Sequence, residues 1–257
     1  MSSVCAVIVT YNPNPERLRL AIDKLSAQLD GVVVVDNASK EPLAIMWPGN
    51  SGLRFSMLLQ LESNIGLAAG QNRGVEIALK EGFSHVLMLD QDSLPGPGMV
   101  EELLATESYL LKSGIKPAVV GPQCVDSRVG VGGVLPFCQI SLWGVNKIND
   151  AIAVGGKHYC RADFLISSGS LIEASAYRKV GPFCEKLFID NVDLEWCYRA
   201  ASMGLYCYGS FDARLDHRLG DRVKPILGGI TLLHLHDPGR LFYIMRNRIM
   251  LYKKKHV

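Results

Sequence analysis

Four short, mostly apolar runs mark the first half of the chain: Val4–Thr10 (VCAVIVT), Val32–Val35, Leu53–Leu61 (LRFSMLLQL) and Val86–Leu89. Runs of this length, rich in β-branched residues and without strict alternation, describe strands buried on both faces, as in a parallel sheet covered by helices. Helical spacing fills the gaps between them. Apolar residues at 18, 21, 22, 25 and 29 predict a helix over Pro15–Leu29. A second helix is predicted over Gln71–Lys80, and a third over Met99–Lys112 behind the turn Pro95-Gly96-Pro97-Gly98. Strand, helix and strand within about 35 residues form a right-handed βαβ unit whose strand ends share one edge. Val119–Pro122 reads as a further strand, after which, from Gln123 to Cys160, the pattern weakens and predicts antiparallel strands and loops. A helix opens again at Asp190, with Leu194, Cys197, Tyr198 and Ala201 at helical spacing, and an apolar and aromatic run, Leu241–Tyr252, closes the pattern. No linker or repeat divides the halves. Residues 1–257 are therefore expected to form one α/β domain, with a mostly parallel sheet flanked by helices over 1–122 and a smaller mixed lobe with a helical tail over 123–257.

Composition narrows the function classes. Nearly half of the residues are apolar and a fifth charged, which supports a packed core and argues against disorder. A net charge of +2 gives no field that would recommend nucleic acid as a partner. The seven cysteines (5, 124, 138, 160, 184, 197, 207) lack metal-type spacing and favour reduced, buried thiols in a cytoplasmic protein. The first apolar run is too short for a signal peptide, and no stretch approaches the roughly 20 apolar residues that cross a bilayer. Lys253-Lys254-Lys255-His256, behind the Leu241–Tyr252 run, suits peripheral contact with an anionic inner-membrane surface; a solvated tail is the plainer reading.

Candidate chemistry gathers where the strands end. In open α/β sheets ligands collect at the carboxyl edge, and Thr10, Tyr11, Asn12, Asp36, Asn37 and Ser39 belong there. Val86–Leu89 runs straight into Asp90-Gln91-Asp92. Carboxylates two residues apart leave an extended chain on the same side and repel unless a cation lies between them. Mg²⁺ or Mn²⁺ is the hard ion that shares such ligands with a diphosphate. The small residues of Asn64–Gly74 open a helix whose free N–H groups favour an anion, and serve equally well as a helix-packing turn. Neither GxGxxG nor a Walker motif is present. Three acids in six residues, Asp190, Asp193 and Glu195, exceed what helix capping needs and offer a general base. Arg240, Tyr243, Arg246 and Asn247 recur at a spacing that puts them on one helix face, and Trp143, Tyr159 and Trp196 offer rings for sugar stacking beside the commoner role of core packing.

In order along the chain, IVTYN (8–12), VVVVDNAS (32–39), SNIGLAAGQNRG (63–74), LMLDQDS (87–93), SSGSLI (167–172), FIDNVDLEWCYRAASMG (188–204), HRLGD (217–221) and RLFYIMRN (240–247) resemble the family 2 glycosyltransferases of GT-A fold, and within them bacterial rhamnosyltransferases. The resemblance implies an inverting enzyme dependent on Mg²⁺ or Mn²⁺. Its donor would be a nucleoside-diphosphate sugar, dTDP-L-rhamnose foremost, and its acceptor a cell-surface glycan or lipid-linked glycan. It implies that Thr10, Tyr11, Asn12, Asp36 and Asn37 hold the base and nearby sugar, and that Asn64, Gly66, Leu67 and Asn72 line ribose and diphosphate. Gln91 and Arg246 would also serve the donor. Asp92 would be the principal metal ligand, Asp90 would lie near the ribose or the ion, and His217 would approach late in the chain. Gly169, Ser170 and Trp196 would fall on the acceptor side. Asp193 matches the base, Glu195 the acid that orients it, and Asp190 is the runner-up; Val192 stands where the family usually carries an acid. Two competing readings are a nucleotidyltransferase, which would carry a Gly-rich basic loop in place of Thr10-Tyr11-Asn12-Pro13, and a non-catalytic sugar-nucleotide-binding subunit, which needs no base.

Overall fold

The computed structural model describes residues 2–41, 43, 52–128, 133–141, 143–217, 222–226, 231–235 and 238–253. Residues 218–221 of the HRLGD motif and 254–257 of the basic end lie outside the described residues. In chain order the elements are β1 (Val4–Thr10), α1 (Pro15–Ser26), β2 (Gly31–Asp36), β3 (Phe55–Gln60), α2 (Leu67–Lys80), β4 (His85–Asp90), β5 (Leu94–Pro95), α3 (Met99–Lys112) and β6 (Pro117–Val125). There follow β7 (Phe137–Ser141), β8 (Gly144–Ile148), β9 (Ile152–Val154), β10 (Lys157–Ala162), β11 (Leu171–Glu173), α4 (Ala174–Val180), α5 (Val192–Ser202), β12 (Tyr206–Asp216), β13 (Arg222–Ile226), β14 (Thr231–Leu235) and α6 (Pro238–Lys253).

One sheet runs in the order β3-β2-β1-β4-β11-β6-β12-β10-β9. Its first four strands are parallel, β11 runs against β4 and β6, and β12 lies parallel to β6. The unbroken apolar runs are explained by layers on both faces. Cys5, Val7, Val9, Val33, Val35, Val86 and Met88 pack under α2, α4 and α5, whereas Val4, Ala6, Ile8, Val32, Val34, Leu87 and Leu89 meet α1 and α3. The connection through α1 carries the chain from β1 to one side, and the one through α2 returns it to the other, so the strand order reverses at β1. The crevice beyond β1 and β4 is the topological switch point, where such sheets bind ligands.

Several boundaries differ from the sequence expectation, among them the helix expected to open at Asp190, which opens at Val192, and the strand expected at Val119–Pro122, which spans Pro117–Val125. Two of the shifts show their cause in tertiary contacts. Helix α1 ends at Ser26 rather than Leu29, because the Gln28 side chain turns away to donate to Gly96 O and to accept from Val100 N. Helix α2 starts at Leu67, four residues before Gln71, since its small residues press the helix against β1. A Cβ on Gly74 would lie 2.3 Å from Val7 Cγ1, and one on Gly70 2.9 Å from Val9 Cγ1. Close packing outweighs the poor helix propensity of glycine here.

Candidate active site

The ends of β1 and β2 are stitched together at the carboxyl edge. Thr10 pairs with Asp36 in register, and its Oγ1 donates to Asp36 Oδ1 at 3.1 Å; Ser39 Oγ donates to the same oxygen at 2.5 Å. Asn12 N donates to Ser39 Oγ, and Lys40 N donates to Asn12 Oδ1. Asn37 Oδ1 accepts from Ile65 N, and Asn64 Oδ1 accepts from Gly66 N, so both asparagines shape the approach to α2. Gln91 reaches across from the end of β4, accepting from Tyr11 N and donating to Tyr11 O. Tyr11 itself is half-exposed over this edge.

Asp90, Asp92 and His217 form the second part of the site. Each offers a ligand atom, and these atoms lie within 4.8 Å of one another. His217 arrives from the far end of the chain because Leu94 and Pro95, just past Asp92, pair antiparallel with Asp216 and Leu215. Arg17 of α1 donates to Asp92 O and pairs with Asp216 at 3.3 Å, tying the same two segments together. A hydroxyl relay orders the group: Asp90 N donates to Ser168 Oγ, Ser168 Oγ to Ser93 Oγ, and Ser93 Oγ lies 2.8 Å from His217 Nδ1. Desolvation pushes the Asp90 carboxyl above the ordinary carboxylate range, His217 opposes that shift, and Asp92 adds to it. Two mutually repelling carboxylates and one imidazole form a donor set suited to a hard divalent cation that tolerates one nitrogen ligand.

The third part is the acidic loop before α5. Phe188, Asp190 and Asn191 have φ of 65°, 62° and 58°. Phe188 (ψ −68°) centres a tight γ-turn closed by Ile189 N donating to Leu187 O at 2.8 Å, a rare and strained conformation. The other non-glycine residues with positive φ among the described residues are Asn12 and Ala38, at the same sheet edge. Backbone strain concentrated in one place is characteristic of sites that hold side chains in functional positions. Asp193 Oδ2 accepts from Ser167 N, next to the Ser168 that holds Asp90, and its Oδ1 accepts from Leu194 N. Desolvation raises the Asp193 pKa to about 6; the Leu194 and Ser167 N–H groups pull against it, and the charge of Asp90 adds to it.

Several residues expected at the site serve it from behind. Asn72 uses both hydrogen-bonding ends internally, donating to Phe183 O and Glu185 Oε1 and accepting from Phe183 N and Tyr177 Oη. Gly66 (φ +89°) provides room for Phe188, since a Cβ there would lie 2.6 Å from the Phe188 ring, and Ala68 N donates to Phe188 O. Leu67 packs partly buried against the core. Arg246 donates to Lys186 O and Leu187 O, bracing the loop. Glu195 is buried and forked to Arg199, which fastens the end of α4 through Val180 O. Trp196 is core, its indole N–H donating to Gly181 O. Gly169 N donates to Met88 O, and Ser170 Oγ to Ile166 O, so Ser167, at the Asp193 carboxylate, and Ser168, at the Asp90 main chain, are the members of this segment that reach the acids. Asp190 is held by a forked pair with Arg240, 3.0 Å at its shorter contacts. Sequence reading missed Arg17, Ser93 and Ser168; single hydroxyls and a helix arginine carry no local signal of what they will touch.

Comparison with known proteins places these features in a family context. A profile described as Glycosyl transferase family 2 matches residues 5–120. Over 261 aligned positions the chain is 32% identical to the dTDP-rhamnosyl transferase RfbF of Shigella flexneri, covering 100% of this chain and 82% of that protein. It is 23% identical over 205 positions to the low-salt glycan biosynthesis hexosyltransferase Agl10 of Haloferax volcanii, covering 78% of this chain and 62% of the other. Among solved structures, GalNAc-T7 with UDP, GalNAc and Mn²⁺ superposes with a TM-score of 0.64 at 16% identity, over 84% of this chain and 44% of that one. TarS of S. aureus gives 0.54 at 16% identity, over 81% and 36%. The chain thus spans under half the length of these two structures, which share its fold.

Proposed function

The chain belongs to glycosyl transferase family 2 and is a glycosyltransferase of GT-A fold, and from that premise we propose that it moves L-rhamnose from dTDP-L-rhamnose, with inversion, onto a glycan or lipid-linked glycan. The observation that carries the reading is that adjacent residues hold the two acids it needs, Ser167 N the Asp193 carboxylate and Ser168 Oγ the Asp90 main chain. The RfbF similarity over the whole chain supports the rhamnosyl donor.

In this reading Asp36, fixed by Thr10 and Ser39, accepts the imide N–H of thymine, and Tyr11 lies against the nucleotide. Asp92, Asp90 and His217 would hold Mg²⁺ or Mn²⁺, the imidazole favouring Mn²⁺ over Mg²⁺. When bound, the ion neutralises charge on the departing diphosphate. Asp193 takes the proton of an acceptor hydroxyl as that oxygen attacks the anomeric carbon from the side opposite the diphosphate. Its pKa of about 6 leaves it ionised at neutral pH yet basic enough to share the proton. Arg240 holds Asp190, and Arg199 holds Glu195, as supports of the loop and helix that aim Asp193.

Asp193→Asn tests the assignment. Transfer should fall by roughly 10²–10⁴, while dTDP-rhamnose with Mn²⁺ still raises the melting temperature by mass action. Undiminished transfer by the variant moves the base to Asp190 or Glu195. A larger stabilisation by another nucleotide sugar overturns the donor.

A further inference from the structure

Helix α6 presents five of its apolar residues outward. Leu241, Phe242, Met245, Ile249 and Tyr252 are between 46 and 71% exposed. At 3.6 residues per turn they fall within an arc of about 100°, the width of an ordinary buried stripe. The opposite face is the anchored one. Asn247 and Leu251 are buried, and Arg240, Arg246 and Asn247 grip the loop at 186–190. Arg248 and Lys253 are exposed beside the apolar arc, and α6 carries no acidic residue. At 16 residues with several charges it is no transmembrane span, and no helix of the described residues is long and apolar enough to be one.

We propose that the outer face of α6 lies in the plane of an anionic lipid surface, with Leu241, Phe242, Met245, Ile249 and Tyr252 seated among the acyl chains and Arg248 and Lys253 on the headgroups. An apolar arc bordered only by cations is the pattern of an interfacial helix. A second copy of this chain is a poorer occupant, because two such helices would bring like charges together. The placement deepens the acceptor reading above and rests on it only for its consequence. The loop bearing Asp190 and leading to Asp193 is gripped by the inner face of α6, about one helix diameter, roughly 10 Å, from the lipid. An acceptor sugar carried on a membrane lipid would then reach the base without leaving the surface.

Co-sedimentation with vesicles, without donor, tests the docking apart from the chemistry. The whole protein should pellet with phosphatidylcholine vesicles containing one-third phosphatidylglycerol, release at high salt, and stay in solution with phosphatidylcholine alone. Phe242→Ser/Ile249→Ser should weaken binding at least tenfold while transfer to a water-soluble acceptor is unchanged. Wild-type protein that remains in solution with anionic vesicles, or a double variant that binds as well, overturns the proposal. So does a two-chain mass by light scattering that drops to one chain in the double variant without vesicle binding, which assigns the face to a second copy. Loss of transfer with vesicle binding intact would count against the glycosyltransfer reading alone.

Discussion

Asp193 is subject to opposing influences on its proton. Desolvation and the nearby charge of Asp90 raise its pKa, the N–H groups of Leu194 and Ser167 lower it, and the balance stands at about 6 against an ordinary 3.8. A base works only when ionised, so transfer should decline as pH falls through about 6, with a slope of one proton. The residual rate of Asp193→Asn should show no such inflection over that range, which a pH–rate profile checks. Ser93 acts at one remove. Its hydroxyl lies 2.8 Å from His217 Nδ1 and fixes the ring's orientation, as an outer partner would for the imidazole of the proposed cation site. Ser93→Ala should weaken Mn²⁺ binding about 10–100-fold, measured as free Mn²⁺ by electron paramagnetic resonance, with little change in melting temperature when no metal is added. Asp90 and Asp92 are legible as a pair from their spacing, but the strand ends at Asp90, and a turn closed by Ser93 N donating to Asp90 O, not the strand's two-residue period, sets Asp92 beside it. His217 was marked only by resemblance, since 124 positions separate it from Ser93 and a pairing of β5 with β12 unites them.

At the scale of elements, the site depends on how a loop and a distant helix hold one another. The turn at Phe188–Asn191 contains three residues with positive φ, each costing on the order of 1–3 kcal/mol. Asparagine and aspartate tolerate that region better than phenylalanine. Something outside the loop must hold it, and α6 does. Asn247, fully buried, brings its side-chain nitrogen within 2.7–2.8 Å of the carbonyls of Leu187, Ile189 and Asp190. The Phe188 ring stacks on Tyr243 at 4.9 Å. Asn247→Ala should therefore lower unfolding stability by about 2–3 kcal/mol in urea denaturation, the cost of a cavity at a buried side chain and of taking the donor from the part-buried carbonyls of Ile189 and Asp190, Leu187 O keeping Ile189 N and Arg246. It should also reduce the turnover rate more than donor affinity, because the freed loop leads into Asp193. Sequence spacing placed Arg240, Tyr243, Arg246 and Asn247 on one helix face. That the face meets the protein's own loop is a matter of docking, to which periodicity is blind.

Over the whole molecule, the apolar runs and helical spacings determined the α/β layering, since a strand with both faces covered has no polar position to alternate. They located the carboxyl edge too, with Thr10, Asp36, Asp90 and Asp92 on it, because in a parallel sheet a strand's direction fixes which end faces the ligand. The weakly patterned stretch from 123 to 160 predicts antiparallel strands and loops, and β7 pairs with β8 and β9 with β10 in that sense; what the pattern could not give is the partner of β10 in the large sheet, β12, which lies about fifty residues further on. Tertiary structure alone decided which partners similar residues meet. Of the acids at 190, 193 and 195, two are tied to Arg240 and Arg199 and one is left against backbone N–H groups near Asp90. Gly66, Gly70 and Gly74 pack against Phe188, Val9 and Val7. Composition and period report how much of a residue is buried and on which face. Which partner it meets depends on contacts between segments far apart in sequence, and those exist only once the chain has folded.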